Sequence, residues 1–149
     1  MTRAPQPAAA TFKGASGNTL IGDVYGEQGP PVLLLHGGGQ TRHAWKKAGD
    51  LIARTGRMAY AVDQRGHGES TWGRRAFDTD VLADDLYTVV SQTLPEAATA
   101  VFVGHSMGGM VAQEVIARRP DKVSRLVLSG TSPAFGKRTD GRSAEAWAQ

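Results

Sequence analysis

Ser106 lies in Gly104-His105-Ser106-Met107-Gly108, between the apolar run Ala100-Val101-Phe102-Val103 and a segment with helical spacing. A serine between two glycines where a strand gives way to a helix has the pattern of a nucleophile elbow, a sharp turn that pushes the hydroxyl clear of the backbone. Gly104 and Gly108 suit so tight a bend, because a side chain at either would meet neighbouring backbone. The first N–H groups of the following helix have no partner inside it and carry a partial positive charge, which favours an oxygen turning negative. The chemistry such a site could do is acyl transfer: a hydroxyl adds to a carbonyl, and the resulting oxyanion needs donors.

Met107 follows the nucleophile candidate and offers one donor, its backbone N–H. A second should come from a glycine-rich loop after another strand, and His36-Gly37-Gly38-Gly39 fits, 70 residues upstream of the elbow. Gly38 is the expected donor and Gly37 the alternative. His36, Gly39 and His105 are expected to edge the pocket, with His36 also bracing its loop by hydrogen bonds. No metal or cofactor is expected. With no cysteine in the chain, disulfides and thiolate metal sites are excluded.

These groups need elements to hold them. Thr11–Lys13 and Asn18–Tyr25 read as an antiparallel hairpin around Gly14-Ala15-Ser16-Gly17, with residues 1–10 loose before it. Val32-Leu33-Leu34-Leu35 and Met58–Val62 are continuous apolar runs, as in parallel strands covered on both faces. Trp45, Ala48 and Ile52 make one helix face, and Leu82, Leu86, Val89 and Val90 another, capped by Asp78 or Thr79. Val111 and Val115 mark a third helix, stopped by Pro120, and Leu126-Val127-Leu128 is the last strand. The alternation predicts an α/β fold: a mostly parallel sheet with helices on both faces. Loops 36–39, 63–70 and 104–109 all follow strand carboxyl ends and so share one rim, where such sheets bind ligands.

His36 to Gly39, the loop Asp63-Gln64-Arg65-Gly66-His67-Gly68-Glu69-Ser70, and Gly104 to Gly109 appear in the order and rough spacing of the α/β-hydrolase fold family, which the chain resembles from about residue 11 to 130. The resemblance implies a serine hydrolase acting on an ester or related small carbonyl substrate. It points to esterases, lactonases and related enzymes, and away from the epoxide-hydrolase and dehalogenase branches, which place aspartate where Ser106 stands. It also implies a triad in the order serine, acid, histidine.

The chain departs from that order, for no histidine follows His105. None of His36, His43, His67 and His105 is expected to serve as the base. His105 adjoins the nucleophile in the bend, and the strand that leads to His67 is expected two positions from the nucleophile strand. The expectation is therefore the N-terminal part of the core domain over 1–130 and the start of a cap or linker over 131–149. The fold would be truncated after the strand at about 125–129, with the acid and histidine supplied by a complementary C-terminal segment or second chain. Alone, this chain is expected to have little or no activity.

Two other classes compete. A catalytically inactive interaction protein would bind through the exposed sheet edge that Leu126 to Leu128 would leave. A dinucleotide-binding domain would use Gly37-Gly38-Gly39 and Asp63, but Arg42 stands where the third fingerprint glycine belongs. The net charge is only +3, and the surplus lies after residue 117, with 7 basic and 3 acidic residues. No aromatic residues interleave Arg118, Arg119, Lys122 and Arg125, so nucleic acid is not an expected partner and a solvated or partner-facing surface is. Neither a leader nor an apolar run of membrane-spanning length stands out, so the expected setting is cytoplasmic.

Overall fold

The computed structural model describes residues 6–72, 78–95 and 98–132. Among the described residues six strands form one sheet: β1 (Ala8–Lys13), β2 (Thr19–Tyr25), β3 (Pro31–Leu35), β4 (Met58–Val62), β5 (Ala100–His105) and β6 (Val123–Ser129). Their spatial order is β1-β2-β4-β3-β5-β6. The β1–β2 and β2–β4 pairs are antiparallel, whereas β4, β3, β5 and β6 run parallel. The helices are α1 (Lys46–Arg54), α2 (Thr79–Thr93) and α3 (Met107–Arg118). Among the described residues, no helix is long and apolar enough to cross a membrane.

The expected α/β fold with helices on both faces is the observed one. Leu33, Leu35 and Phe102 point to the face covered by α2 and α3, through Leu82, Leu86, Val89, Val111 and Val115. Val32, Leu34, Ala59 and Ala61 point to the other face, which Ile52 and Ala53 of α1 cover with Trp45. Strands β3, β4 and β5 are thus apolar on both sides, which is why these runs do not alternate with polar residues. Asp78 caps α2, its carboxylate accepting the Val81 N–H at 2.8 Å.

Four details differ from the sequence reading. Residues 8–10, expected to be loose, extend β1, because Ala8, Ala9 and Ala10 pair with Val24, Asp23 and Gly22 of the longer β2. The α1 segment begins as a short 3-10 turn over Arg42–Trp45. Its closest approach to the sheet is at Gly49 rather than Ala48, since a Cβ there would fall 2.6 Å from the Tyr25 ring. Third, β6 begins at Val123, three residues ahead of its apolar run. Lastly, part of the basic cluster is paired or buried within the molecule: Arg118 pairs with Asp80 and Asp84 of α2, Arg119 with Asp121, and Lys122 is buried, while Arg125 is exposed.

Two buried arginines fasten the loops to this frame. Arg42, from the 3-10 turn, pairs with Asp23 at 3.1 Å, with Asp63 and with Glu69. These carboxylates hold its guanidinium firmly charged, raising its pKa further although burial opposes the charge. Arg65 is fully buried and makes two parallel 2.8 Å bonds to Asp85 of α2. It also reaches Asn18 in the β1–β2 turn at 2.9 Å. The expected start of a cap or linker at 131–149 lies outside the described residues from 133 onward.

Candidate active site

A single residue, Ser106, separates β5 from α3. Ser106 has φ 53° and ψ −116°, and among the described residues it is the sole non-glycine residue with positive φ. That conformation costs about 1–3 kcal/mol for a residue with a side chain, so the surrounding structure must impose it. A Cβ on Gly108 would lie 2.2 Å from the Leu35 carbonyl oxygen, and one on Gly104 would lie 2.6 Å from Gly109 Cα. Glycine at both positions lets α3 start directly against β3 and β5. The end of β6 completes the clamp. The Ser106 N–H donates to the Ser129 carbonyl at 2.9 Å, and Thr131 Oγ1 donates to the Ser106 carbonyl at 2.6 Å.

Loop 36–39 meets the elbow directly: a Cβ on Gly37 would come within 3.2 Å of Ser106 Cβ. The loop closes as a turn, with the Gln40 N–H donating to the Gly37 carbonyl at 3.1 Å and Gly39 at φ 78°. Two of its three glycine N–H groups are taken by side chains. Gln40 Oε1 accepts from Gly37 at 2.9 Å, and His67 Nε2 accepts from Gly39 at 3.1 Å. Gly38 is the loop residue whose N–H is left over among the described residues. It faces α3 at its start, since its Cβ would lie 3.7 Å from Met107 Sδ. Met107 is the first residue of α3, so its own N–H has no partner within the helix. The N–H of Gly38 in loop 36–39 and that of Met107 at the start of α3 are thus both left over near the elbow, and an oxyanion site would need two such donors.

The histidines are placed as follows. His36 is fully buried, so its expected place at the pocket edge is corrected; it is a brace. Its Nδ1–H donates to the Gly37 carbonyl at 2.8 Å, and its Nε2 accepts the Gln64 N–H at 2.9 Å. Burial, then the nearby His67, push its pKa below the ordinary 6.5, against the pull of the Gly37 carbonyl and Asp63. His67 uses both ring nitrogens on backbone, the second being Nδ1, which faces the Arg65 carbonyl at 2.9 Å. His43 is 62% exposed, with Nδ1 4.0 Å from Asp23. The His105 ring packs between Gly37 and Gly130. With Gln40, Ala44, Trp45, Val103 and Ser129, it lines an open groove of about 240 Å³ beside the elbow on the α1 face. Gly39 is exposed at the rim.

The two histidine bridges show why loops 36–39 and 63–70 share a rim: the His36 and His67 rings lie 4.9 Å apart. Asp63, the acid that a ribose would need, is fully buried and bonded to the Arg42 side chain, the Arg42 N–H at 2.6 Å and the Glu69 N–H at 3.0 Å. That arrangement removes the observation on which a dinucleotide reading stood. Sequence reasoning missed Gln40, Thr131 and the carboxylate of Asp85. Gln40 adjoins the glycine loop and was the most accessible of the three, whereas the other two carry no local signal.

The His36 shift has a measurable consequence. The unfolded chain takes up a proton near the ordinary value of 6.5, while the folded chain resists protonation until lower pH. Between those points the unfolded state binds more protons, so stability is complete above about pH 6.5 and declines as pH falls through the folded value. Urea midpoints are expected to drop between about pH 8 and about pH 5. The drop should be smaller in His36→Gln, whose amide can make both bonds without titrating. Equal slopes in the two proteins would assign the effect to other groups.

Comparison with known proteins agrees with this geometry. Residues 30–148 match the family model described as alpha/beta hydrolase fold. An esterase from Mycobacterium tuberculosis is 37% identical over 110 residues, which is 74% of this chain and 36% of that protein. A pimeloyl-[acyl-carrier protein] methyl ester esterase from Chromobacterium violaceum is 42% identical over 108 residues, 72% of this chain and 39% of that one. Among solved structures, an epoxide hydrolase without ligand superposes with TM-score 0.80 at 27% identity, over 91% of this chain and 46% of that chain. The chain therefore spans under half the length of these relatives. The extent of the family match, the identities and the elbow with its glycine loop agree: the chain belongs to the alpha/beta hydrolase fold family.

Proposed function

We propose that this chain carries the nucleophile and oxyanion site of a serine hydrolase acting on carboxylic esters or closely related carbonyl substrates. The observation that carries the reading is the backbone of Ser106, held at φ 53° beside the Gly38 loop. A strained non-glycine residue at the start of a helix, flanked by two N–H donors, is costly unless its side chain has work there. The names of the two curated relatives support esters. The likeness to an epoxide hydrolase weighs less, because that branch of the family uses aspartate as nucleophile and this chain has serine.

In this mechanism a base takes the Ser106 hydroxyl proton as Oγ adds to the ester carbonyl. The oxyanion is held by the N–H groups of Gly38 and Met107. The base returns its proton to the departing alkoxide as the C–O bond breaks. Water, activated by the same base, then hydrolyses the acyl-serine and releases the carboxylic acid. The base in this proposal is a histidine from outside this sequence, with its acid partner, on a complementary segment or second chain. The ring nitrogens of His36 and His67 are committed to backbone, and His43 is turned toward Asp23. Residues 1–130 are on this reading the N-terminal part of the core domain, working in the cytoplasm.

The test is reconstitution. The chain alone should hydrolyse a p-nitrophenyl ester barely above background, and a C-terminal segment bearing the missing acid and histidine should raise turnover by orders of magnitude. High activity from the chain alone would overturn the external base. One observation favours a second reading, a non-catalytic binding protein: among the described residues β6 is an edge strand with Val127 50% and Leu128 43% exposed. On that reading no complement restores turnover, although the segment still binds.

A further inference from the structure

We propose that His67 is a positioning residue: by accepting the Gly39 N–H it fixes the loop that aims the Gly38 N–H. The importance of Gly38 rests on the ester-hydrolase reading above; the hydrogen bond and its effect on the loop do not. Three consecutive glycines have the widest conformational freedom a chain can have, and a donor on such a segment points nowhere in particular unless something holds it. Gly38 is held from both sides. On one side, Gly37 gives its N–H to Gln40 Oε1 at 2.9 Å and receives His36 Nδ1–H on its carbonyl at 2.8 Å. On the other, Gly39 gives its N–H to His67 Nε2 at 3.1 Å.

His67 can serve as that acceptor because its other nitrogen is assigned. Nδ1 lies 2.9 Å from the Arg65 carbonyl, which can only accept, so Nδ1 bears the proton and Nε2 the lone pair. The bracing is reciprocal. His36, on the oxyanion loop, accepts the N–H of Gln64 on the second loop at 2.9 Å, while His67, on the second loop, accepts the N–H of Gly39 on the first. The second loop is the stiffer partner, since Arg65, two residues before His67, is locked onto Asp85 in the core. The direction of the Gly38 N–H is therefore inherited from the core through Arg65 and His67, rather than set by the glycines themselves.

The test uses the full chain labelled with 15N and reads the amides of Gly38 and Gly39 without any turnover. His67→Phe keeps a planar ring and removes both nitrogens; His67→Gln keeps an acceptor within reach. In His67→Phe, Gly39 is expected to exchange its amide proton about fivefold faster, the worth of one hydrogen bond of about 1 kcal/mol. The Gly38 cross-peak should shift as well, while the amides of β5 keep their protection. His67→Gln should restore much of both signals. Unchanged Gly38 and Gly39 amides in His67→Phe would overturn the proposal, and so would loss of protection spread evenly through β5, which marks a merely structural role. Should His67→Phe fail to fold, the ring nitrogens of the unaltered chain decide: an Nδ1–H tautomer with a hydrogen-bonded Nε2 is expected, and an Nε2–H tautomer overturns it. Failed reconstitution of ester turnover would sink the hydrolase reading and leave these signals untouched.

Discussion

Ser106→Ala, made in the chain combined with a segment that supplies the proposed acid and histidine, is expected to lower kcat by about 10⁴- to 10⁶-fold. The nucleophile and base act as a unit, so removing the hydroxyl takes away covalent catalysis entirely. What survives is substrate binding and the two proposed oxyanion donors, Gly38 and Met107, which would stabilise charge even for attack by water. KM should change little, because the hydroxyl contributes to the transition state rather than to holding the substrate. The fold should be intact, since alanine keeps the Cβ, and the hydrogen bonds to the Ser129 carbonyl and from the Thr131 hydroxyl use only main-chain atoms of Ser106. A companion change separates strain from chemistry. Ser106→Gly removes the side chain that makes φ 53° costly, so it should raise stability by about 1 kcal/mol while being equally inactive. Ester turnover that persists in Ser106→Ala would move the nucleophile elsewhere, and destabilisation by Ser106→Gly would mean the turn is not strained.

Asp85→Ala is expected to destabilise the chain by about 3–5 kcal/mol, the cost of breaking a buried pair and leaving one charge without its partner. Against a typical domain stability of about 5–15 kcal/mol, that is a large share. Asp85 is 3% exposed, and its carboxylate serves two segments at once, the loop at Arg65 and the β1–β2 turn. It takes both bonds from the fully buried Arg65 at 2.8 Å and the Ala15 N–H at 2.9 Å, and it lies 3.4 Å from Asn18 Nδ2. Removing it strands a guanidinium that water cannot reach and frees the β1–β2 turn from α2. Urea midpoints read the loss, and Asp85→Asn, which keeps an acceptor, should lose less. The double change Arg65→Met with Asp85→Leu should recover most of the loss, because an apolar pair of similar volume has no charge to desolvate. A loss below about 1 kcal/mol for Asp85→Ala would show that water or a neighbouring acid solvates Arg65 in its place. Because Arg65 carries the loop that bears His67, the same change should also loosen Gly39.

Much of this was legible in the residues because it is local. A turn bounded by Gly104 and Gly108 with Ser106 between them has few ways to connect a strand to a helix. Its geometry was readable before α3 was seen lying against Leu35. Continuous apolar runs such as Val32 to Leu35 and Met58 to Val62 mark strands covered twice, and that pattern alone yields the α/β sheet with helices on both faces. The glycine loops followed from where those strands end. Even the spare histidines were informative, since the absence of any after His105 is a plain property of the order of residues.

What the order of residues left open were the partners that arrive from far along the chain. His36 could equally have lined a pocket or braced its loop until Gln64, 28 residues away, was seen to fill its second nitrogen. Nothing near Asp85 marks it as the partner of Arg65, 20 positions earlier, rather than another solvated acid on a helix. Ala48 and Gly49 are adjacent small residues, and only the Tyr25 ring decides which of them touches the sheet. The kind of loop alone does not separate Gly38 from Gly37, and only the fold shows that Gln40 and His67 take the N–H groups of Gly37 and Gly39 on either side of Gly38. Strands, helices and turns are dictated by neighbours within a few positions and so can be read from them. Which buried polar group satisfies which other is decided by the packing of the whole sheet, and that is where loop 36–39 acquires its partners.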